Sequence, residues 1–317
     1  MKEIGFMEVG KFKIGHAQDV EGATGCTVFL PDECAVAGVD IRGGGPASRE
    51  AHLLDSQMAA TGIHAILLSG GSAFGLDAAG GVMQFLEERN IGFDVGVTKV
   101  PLVCQSSLFD LMVGDMKARP NKEMAYEACQ NASYNENEQG NIGAGTGCTV
   151  GKVLGPKYAM KCGLGTYATQ LGDIKVGALV AVNALGDIYN PETGKQVAGL
   201  LTPNKTSLRS SESVLYEQTQ PNLFTGNTTL GIVVTNCKFS KSEMNKIASM
   251  AHNGYARAIS PVHTTADGDS IYAVSTGEVE SDVNVIGTLA SRVIEKAILS
   301  AVLHTKSAYG FKGDYPL

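Results

Sequence analysis

The stretch "GNTTLGIVVTN", residues 226–236, has the β-branched and apolar composition of an interior strand. Yet it opens on an asparagine and two hydroxyls, and a buried polar group without a partner costs free energy. The residues before it, 201–227, are polar and poorly periodic, and read as a mobile connection. A mobile segment ending abruptly at Asn227-Thr228, followed by a buried strand, is what self-cleavage at that bond would require. A threonine hydroxyl is a poor nucleophile unless a base adjoins it, and one solution is the threonine's own α-amine. Such an amine titrates at about pH 7.7–8.0, so it accepts a proton near neutrality. It is free only once the preceding peptide bond is cut.

Working outward, strand-length apolar runs recur at 26–30 ("CTVFL"), 34–41 ("CAVAGVDI"), 64–69 ("HAILLS"), 174–185 ("IKVGALVAVNAL") and 271–276 ("IYAVST"). Several are nearly continuous rather than alternating, the pattern of strands covered on both faces. Helical periodicity predicts helices at about 48–61, 76–89, 121–133, 241–256 and 282–303. Ser240 followed by Glu243 has capping-box spacing, and Ser281 is the expected cap of the last helix. The polar run 131–141 reads as an exposed loop. Strand-rich blocks with helices before and after them fit an α/β fold of four layers, an αββα sandwich.

The chain has 317 residues, 44% hydrophobic and 18% charged, enough for one large layered domain over 1–317. A formal charge of −7 with no Lys/Arg block argues against a nucleic-acid partner. No window approaches the ~18 uninterrupted apolar residues of a membrane span. The start, "MKEIGFMEVGKFKIGHAQ", lacks the apolar core of a signal peptide. A cytoplasmic protein is expected. Seven cysteines include no C-x-x-C pair, and six histidines show no H-x-x-x-H spacing, so neither metal nor cofactor is expected.

Four further motifs carry candidate chemistry. "LLSGGSAFGLDAAGG" (67–81) is a strand, a glycine turn and a helix start. It is not the G-x-G-x-x-G of dinucleotide binding, and Phe74 stands where a nucleophile elbow around Ser72 needs its last glycine. Gly71 and Ser72 then line a pocket with backbone N–H groups. "NIGAGTGCTVGK" (141–152) lacks phosphate-loop spacing and reads as a glycine turn leading into a strand. Asp267 and Asp269 in "TTADGDSIYAV" are either an Asp-Gly turn or a carboxylate pair facing a site. Lys161 in "MKCGLGTYATQ" is either exposed or, if buried, a lysine of lowered pKa able to accept a proton. Asn183 interrupts an apolar strand; it either ties down a turn or donates to a developing oxyanion.

Taken in order, "GHAQDVEGATGCTVFL", "GVDIRGGGPASREAHLL", "LLSGGSAFGLDAAGGV", "NIGAGTGCTVGK", "KCGLGT", "VGALVAVNALGD", "GNTTLGIVVTN" and "DGD" resemble the DmpA-type peptidase family. That family comprises L-aminopeptidase/D-esterases, β-peptidyl aminopeptidases and nylon-oligomer hydrolases. The resemblance covers nearly the whole chain. It implies an N-terminal-nucleophile (Ntn) hydrolase-like αββα fold with altered connectivity, and self-cleavage between Asn227 and Thr228 into 1–227 and 228–317. By the same resemblance Thr228 is the nucleophile, Lys161 its lysine and Asn183 the oxyanion-side amide. Asp267 and Asp269 match the pair whose first member contacts the new amine. The Asn-Thr junction and the two acids resemble the nylon-oligomer branch. Phe109 stands near where some relatives have a tyrosine, and "GPASRE" departs from the commoner Gly-Thr-Arg-Glu. The implied activity is amide hydrolysis of short peptides or amino-acid amides, without cofactor, in a homo-oligomer of four or more subunits.

The alternatives within enzymes are a nylon-oligomer or pantetheine-type amide hydrolase of the same fold, or a serine hydrolase using Ser72. The alternative of another class is an unprocessed, non-catalytic ligand-binding or assembly protein.

Overall fold

A computed structural model of the chain describes residues 1–217 and 226–315; residues 218–225, within the connection read as mobile, lie outside the described residues. The strands of the two main sheets, in chain order, are β1 (Lys2–Ile4), β2 (Phe12–Asp19), β3 (Thr24–Pro31), β4 (Val36–Ile41), β5 (Ala47–Arg49) and β6 (Ala65–Ser69). They continue with β7 (Val103–Ser107), β8 (Leu164–Leu171), β9 (Ile174–Asn183), β10 (Thr228–Cys237) and β11 (Ser270–Val279). The α-helices are α1 (Ala79–Glu87), α2 (Lys122–Gln130), α3 (Ser211–Glu217), α4 (Lys241–Ala258) and α5 (Val283–His304).

One sheet has the order β1-β8-β9-β10-β11-β4, the other β2-β3-β6-β7-β5. Most neighbours are antiparallel, but β10 with β11 and β6 with β7 run parallel. The stretch 226–236 runs into β10, near the middle of the larger sheet, between β9 and β11.

Three apolar layers glue the sandwich. Between the sheets lie Phe12, Phe29, Ile66, Leu68, Leu179, Leu230, Ile232, Val234 and Tyr272, with Ser106 and Tyr272 hydroxyls joined across the gap at 2.8 Å. Val180, Val182, Val233 and Ile271 on the outer face of the larger sheet meet Ile247 and Tyr255 of α4 and Ile294 and Ile298 of α5. Val28, Leu67 and Val103 of the smaller sheet meet Val82 of α1 and Ala125 of α2. Helix, sheet, sheet, helix: the fold is the αββα sandwich expected. Burial of such side chains stabilises the fold by about 1.5–3 kcal/mol each.

The capping box at Ser240 and Glu243 is present: each side chain meets the other's backbone N–H. Several local expectations are corrected. The helix expected over 48–61 is instead β5 followed by a single 3-10 turn, Ala51–Leu54, after Glu50 adopts a left-handed backbone (φ 55°). Residues 72–78 wind as a 3-10 helix before α1 begins. The cap of α5 is Asp282, which accepts from the Asn284 N–H, and not Ser281. Within the connection read as polar and poorly periodic, α3 forms. Its start is fixed by Asp187, whose carboxylate accepts from the Ser211 N–H and hydroxyl, both at 2.6 Å, and from the Leu200 N–H at 2.8 Å.

Candidate active site

Thr228 is the first residue of β10 and is buried. Side chains alternate along a strand, so it shares the inter-sheet face with Leu230, Ile232 and Val234. Directly opposite it on β9 stands Asn183. On its other side the parallel ladder with β11 extends one bridge further, pairing Asn227 with Asp267. The Asn227–Thr228 peptide is therefore gripped from both sides by the ends of neighbouring strands.

The Thr228 hydroxyl donates to the Asn227 carbonyl oxygen, the same oxygen that accepts from the Gly268 N–H at 3.0 Å. The Asn227 N–H donates to the Ala266 carbonyl at 3.2 Å. One residue on, the Thr229 N–H donates to Asp269 Oδ1 at 2.8 Å. Asp269 Oδ2 accepts from both the backbone N–H (3.1 Å) and ring Nδ1 (2.9 Å) of His263. Asp267 Oδ2 accepts from the Thr264 N–H at 2.9 Å and its hydroxyl at 2.6 Å. Burial, then the charge of Asp269, push Asp267 up to about 6, against the opposing pull of Thr264 and Lys152. The glycines of "RGGGPASRE" brace this turn: the Gly45 N–H holds the Asp267 carbonyl at 2.8 Å, and the Arg42 and Gly43 N–H groups hold that of Asp269.

Both polar atoms of the Asn183 side chain are engaged. Its Oδ1 accepts from the Thr149 N–H (3.1 Å) and from Lys152 Nζ (2.8 Å), and its Nδ2 donates to the Phe109 carbonyl at 2.9 Å. Lys152 also donates to the Asn183 carbonyl at 3.0 Å. Desolvation lowers Lys152 to about 8, against the opposing pull of Cys148, Asp267, Asp110 and Asp269. Lys161 is buried too, and burial lowers it likewise to about 8. Its Nζ, however, donates to the carbonyls of Gly145, Cys148 and Cys162, and no described hydrogen bond takes it to Thr228, Asn183 or Asp267. The lysine on the amide is Lys152, from the end of the glycine-rich "NIGAGTGCTVGK". The sequence signalled it only as the last letter of that run.

Phe109 packs its ring on Gly226, whose left-handed backbone (φ 91°) and missing side chain leave room for it. Phe109 thus lies beside the residue just ahead of the Asn-Thr junction. Gly71 also needs its glycine (φ 81°); its N–H donates to Asp110 Oδ1 at 2.7 Å, while Asp110 Oδ2 takes the Thr24 hydroxyl at 2.6 Å. Burial raises Asp110. Ser72 stands at a strand-to-helix turn with φ 54°, but none of the hydrogen bonds described for the histidines goes to it. Among the described residues no cluster of three or more His, Cys, Asp or Glu could hold a metal ion, and no helix is long and apolar enough to cross a membrane.

Residues 5–315 match the model of peptidase family S58. The chain is 35% identical to an uncharacterized aminopeptidase of Mycobacterium tuberculosis (strain H37Rv), with 96% of this chain and 94% of that protein covered. It is 31% identical to the 6-aminohexanoate-oligomer endohydrolase of Agromyces sp. (strain KY5R), covering 91% of this chain and 83% of that one. Among solved structures, the L-aminopeptidase D-Ala-esterase/amidase of Ochrobactrum anthropi, described as a variant of the Ntn hydrolase fold, superposes with a TM-score of 0.74 at 16% identity. That match covers 98% of this chain and 88% of the other.

Proposed function

The chain belongs to peptidase family S58, and from that premise we propose that it is a self-cleaving amide hydrolase whose nucleophile is Thr228, freed as a new chain start. The observation that carries this reading is the buried Thr228 hydroxyl resting on the carbonyl of the residue before it, with Asn183 opposite and Asp267 alongside.

In maturation, Thr228 Oγ bonds to the Asn227 carbonyl carbon and the C–N bond breaks. The hydroxyl proton ends on the departing nitrogen, which becomes the Thr228 amine. Water then splits the resulting ester, restoring the hydroxyl and leaving Asn227 with a carboxylate. In turnover the same hydroxyl attacks a substrate amide, the leaving amine takes a proton, and water releases the acyl group. Two groups suit the role of proton acceptor, the new α-amine and Lys152, whose lowered pKa leaves a useful neutral fraction near pH 8. Asp267, bridged to Asn227 beside this bond, is the group proposed to hold the amine once it forms.

Intact-mass analysis tests the reading: wild-type protein resolves into 1–227 and 228–317, and Thr228→Ala stays whole. A Thr228→Ala protein cut at the same bond rejects it. Ser72→Ala, by contrast, should leave both cutting and activity in place.

The substrates proposed are short peptides, amino-acid amides or amide oligomers. One observation favours the last. Asp110 and Asp269 are engaged by neighbouring N–H and hydroxyl groups, Asp267 is reserved for the Thr228 amine, and Lys152 adds a cation, so the site offers little to a substrate ammonium beside the scissile bond. Amides lying inside an oligomer fit better than amino-terminal ones. Comparing N-acetylated oligoamides with free amino-acid anilides distinguishes the two.

A further inference from the structure

We propose that the backbone N–H of Gly268 is the oxyanion donor of the self-cleavage step, and that position 268 is glycine because the Thr228 hydroxyl works in the space a side chain would fill. This rests on the reading of Thr228 as the nucleophile, and adds which group stabilises the charge that its attack creates.

When Thr228 Oγ bonds to the Asn227 carbonyl carbon, the π pair of that carbonyl moves onto its oxygen. A donor already aimed at that oxygen is worth more there than in the ground state, provided it cannot turn away. The Gly268 N–H lies 3.0 Å from it, within the ~2.7–3.1 Å that oxyanion donors adopt. The Thr228 hydroxyl, the other donor on this oxygen, leaves it as Oγ swings to the carbon. Asn183 Nδ2 has two N–H groups, but the bond described for it goes to the Phe109 carbonyl and none goes to the Asn227 oxygen.

The Gly268 amide is held on every side. Ahead of it, the Asp267 carbonyl is tied to the Gly45 N–H and the carboxylate to Thr264. Behind it, the Asp269 carbonyl is tied to Arg42 and Gly43, and the carboxylate to Thr229 and His263. The two aspartates of "DGD" thus flank and fix the amide between them.

Gly268 is not in the left-handed region, so backbone freedom does not explain it. Space does. A Cβ there would stand 2.6 Å from Thr228 Oγ1 and 2.9 Å from the Gly45 carbonyl oxygen. Alanine would press on the nucleophile itself.

The test is a backbone ester at the 267–268 linkage, with glycolate in place of Gly268. It deletes this N–H and adds no side chain. Maturation is followed by intact mass, and folding by the melting temperature. The expected result is a folded precursor that cuts itself about 100- to 1000-fold more slowly than wild type. An ester chain that matures at the wild-type rate overturns the proposal while leaving Thr228 as nucleophile untouched. A wild-type chain that never cuts itself overturns the reading of Thr228 and this proposal together. Should the ester chain not fold, Gly268→Ala decides: the proposal requires it to persist as precursor, and maturation at the wild-type rate overturns it.

Discussion

Asn183 and Thr228 stand directly opposite each other at the open ends of β9 and β10, a polar pair closing two strands whose middles are apolar. In this arrangement Asn183 is a junction: lysine, a turn N–H and the Phe109 carbonyl all converge on one amide. Asn183→Ala strips Lys152 of its side-chain acceptor, leaving only the backbone carbonyl, and loosens the packing beside Thr228. Substrate turnover is expected to fall about 100- to 1000-fold if Nδ2 turns to the substrate oxyanion. Steady-state kinetics on matured protein checks it; unchanged kcat would remove Asn183 from the site.

The two buried lysines are expected to separate by effect. Lys152→Met should slow self-cleavage by about 100-fold or more, the usual cost of losing a positioned proton acceptor. Lys161→Met instead removes a buried donor from three carbonyls; those of Gly145 and Cys148 keep a backbone N–H, while that of Cys162 loses its described donor, at about 1–3 kcal/mol, so the change should act mainly on stability. Thermal melts beside maturation time-courses assign each role.

The rate of self-cleavage should climb in two steps with pH. Asp267 ionises at about 6, and above that its carboxylate accepts from Thr264 and pairs electrostatically with Lys152. Lys152 becomes neutral through about 8, and no free amine yet exists to account for that second step. Asp267→Asn should erase the lower step and Lys152→Met the upper one. Stability runs the other way. Asp267 has a folded pKa above its unfolded value, so its contribution is fully present below the unfolded pKa and is lost as pH rises through about 6. Asp267→Asn should therefore melt higher than wild type at neutral pH while cutting itself more slowly.

His263 grips Asp269 with both its N–H and its ring from a left-handed backbone, φ 56°. Asparagine tolerates that backbone and presents an N–H donor near the place of Nδ1. His263→Asn should keep maturation close to wild type, whereas His263→Leu should slow it. Equal defects in both variants would show that the ring's packing against His252 and Tyr255, and not its hydrogen bond, is what counts.

Much of this was legible in the chain and some was not, for physical reasons. β9 and β10 announced themselves because strands buried on both faces are long apolar runs, and Asn183 and Thr228 stood out as polar breaks in them. The aspartates of "DGD" could be named as a pair, but not that Thr264 would hold one and His263 with Thr229 the other. Residues 48–61 carried a helical rhythm, yet Glu50 in a left-handed conformation turns the chain into a strand edge and one tight turn. The lysine was the harder case: Lys152 and Lys161 lie nine positions apart, and both are buried. Which one meets Asn183 depends on how the glycine turn at 143–145 folds the chain back, and no spacing rule supplies that.

The place of β10 and β11 in the larger sheet has one more effect. Both belong to the piece beginning at Thr228, yet they are clasped between β9 and β4 of the other piece. Severing the backbone at that point would divide the polypeptide without dividing the particle. The two products would migrate apart in detergent and travel as one in native buffer, and they would separate only when the sheet itself came undone.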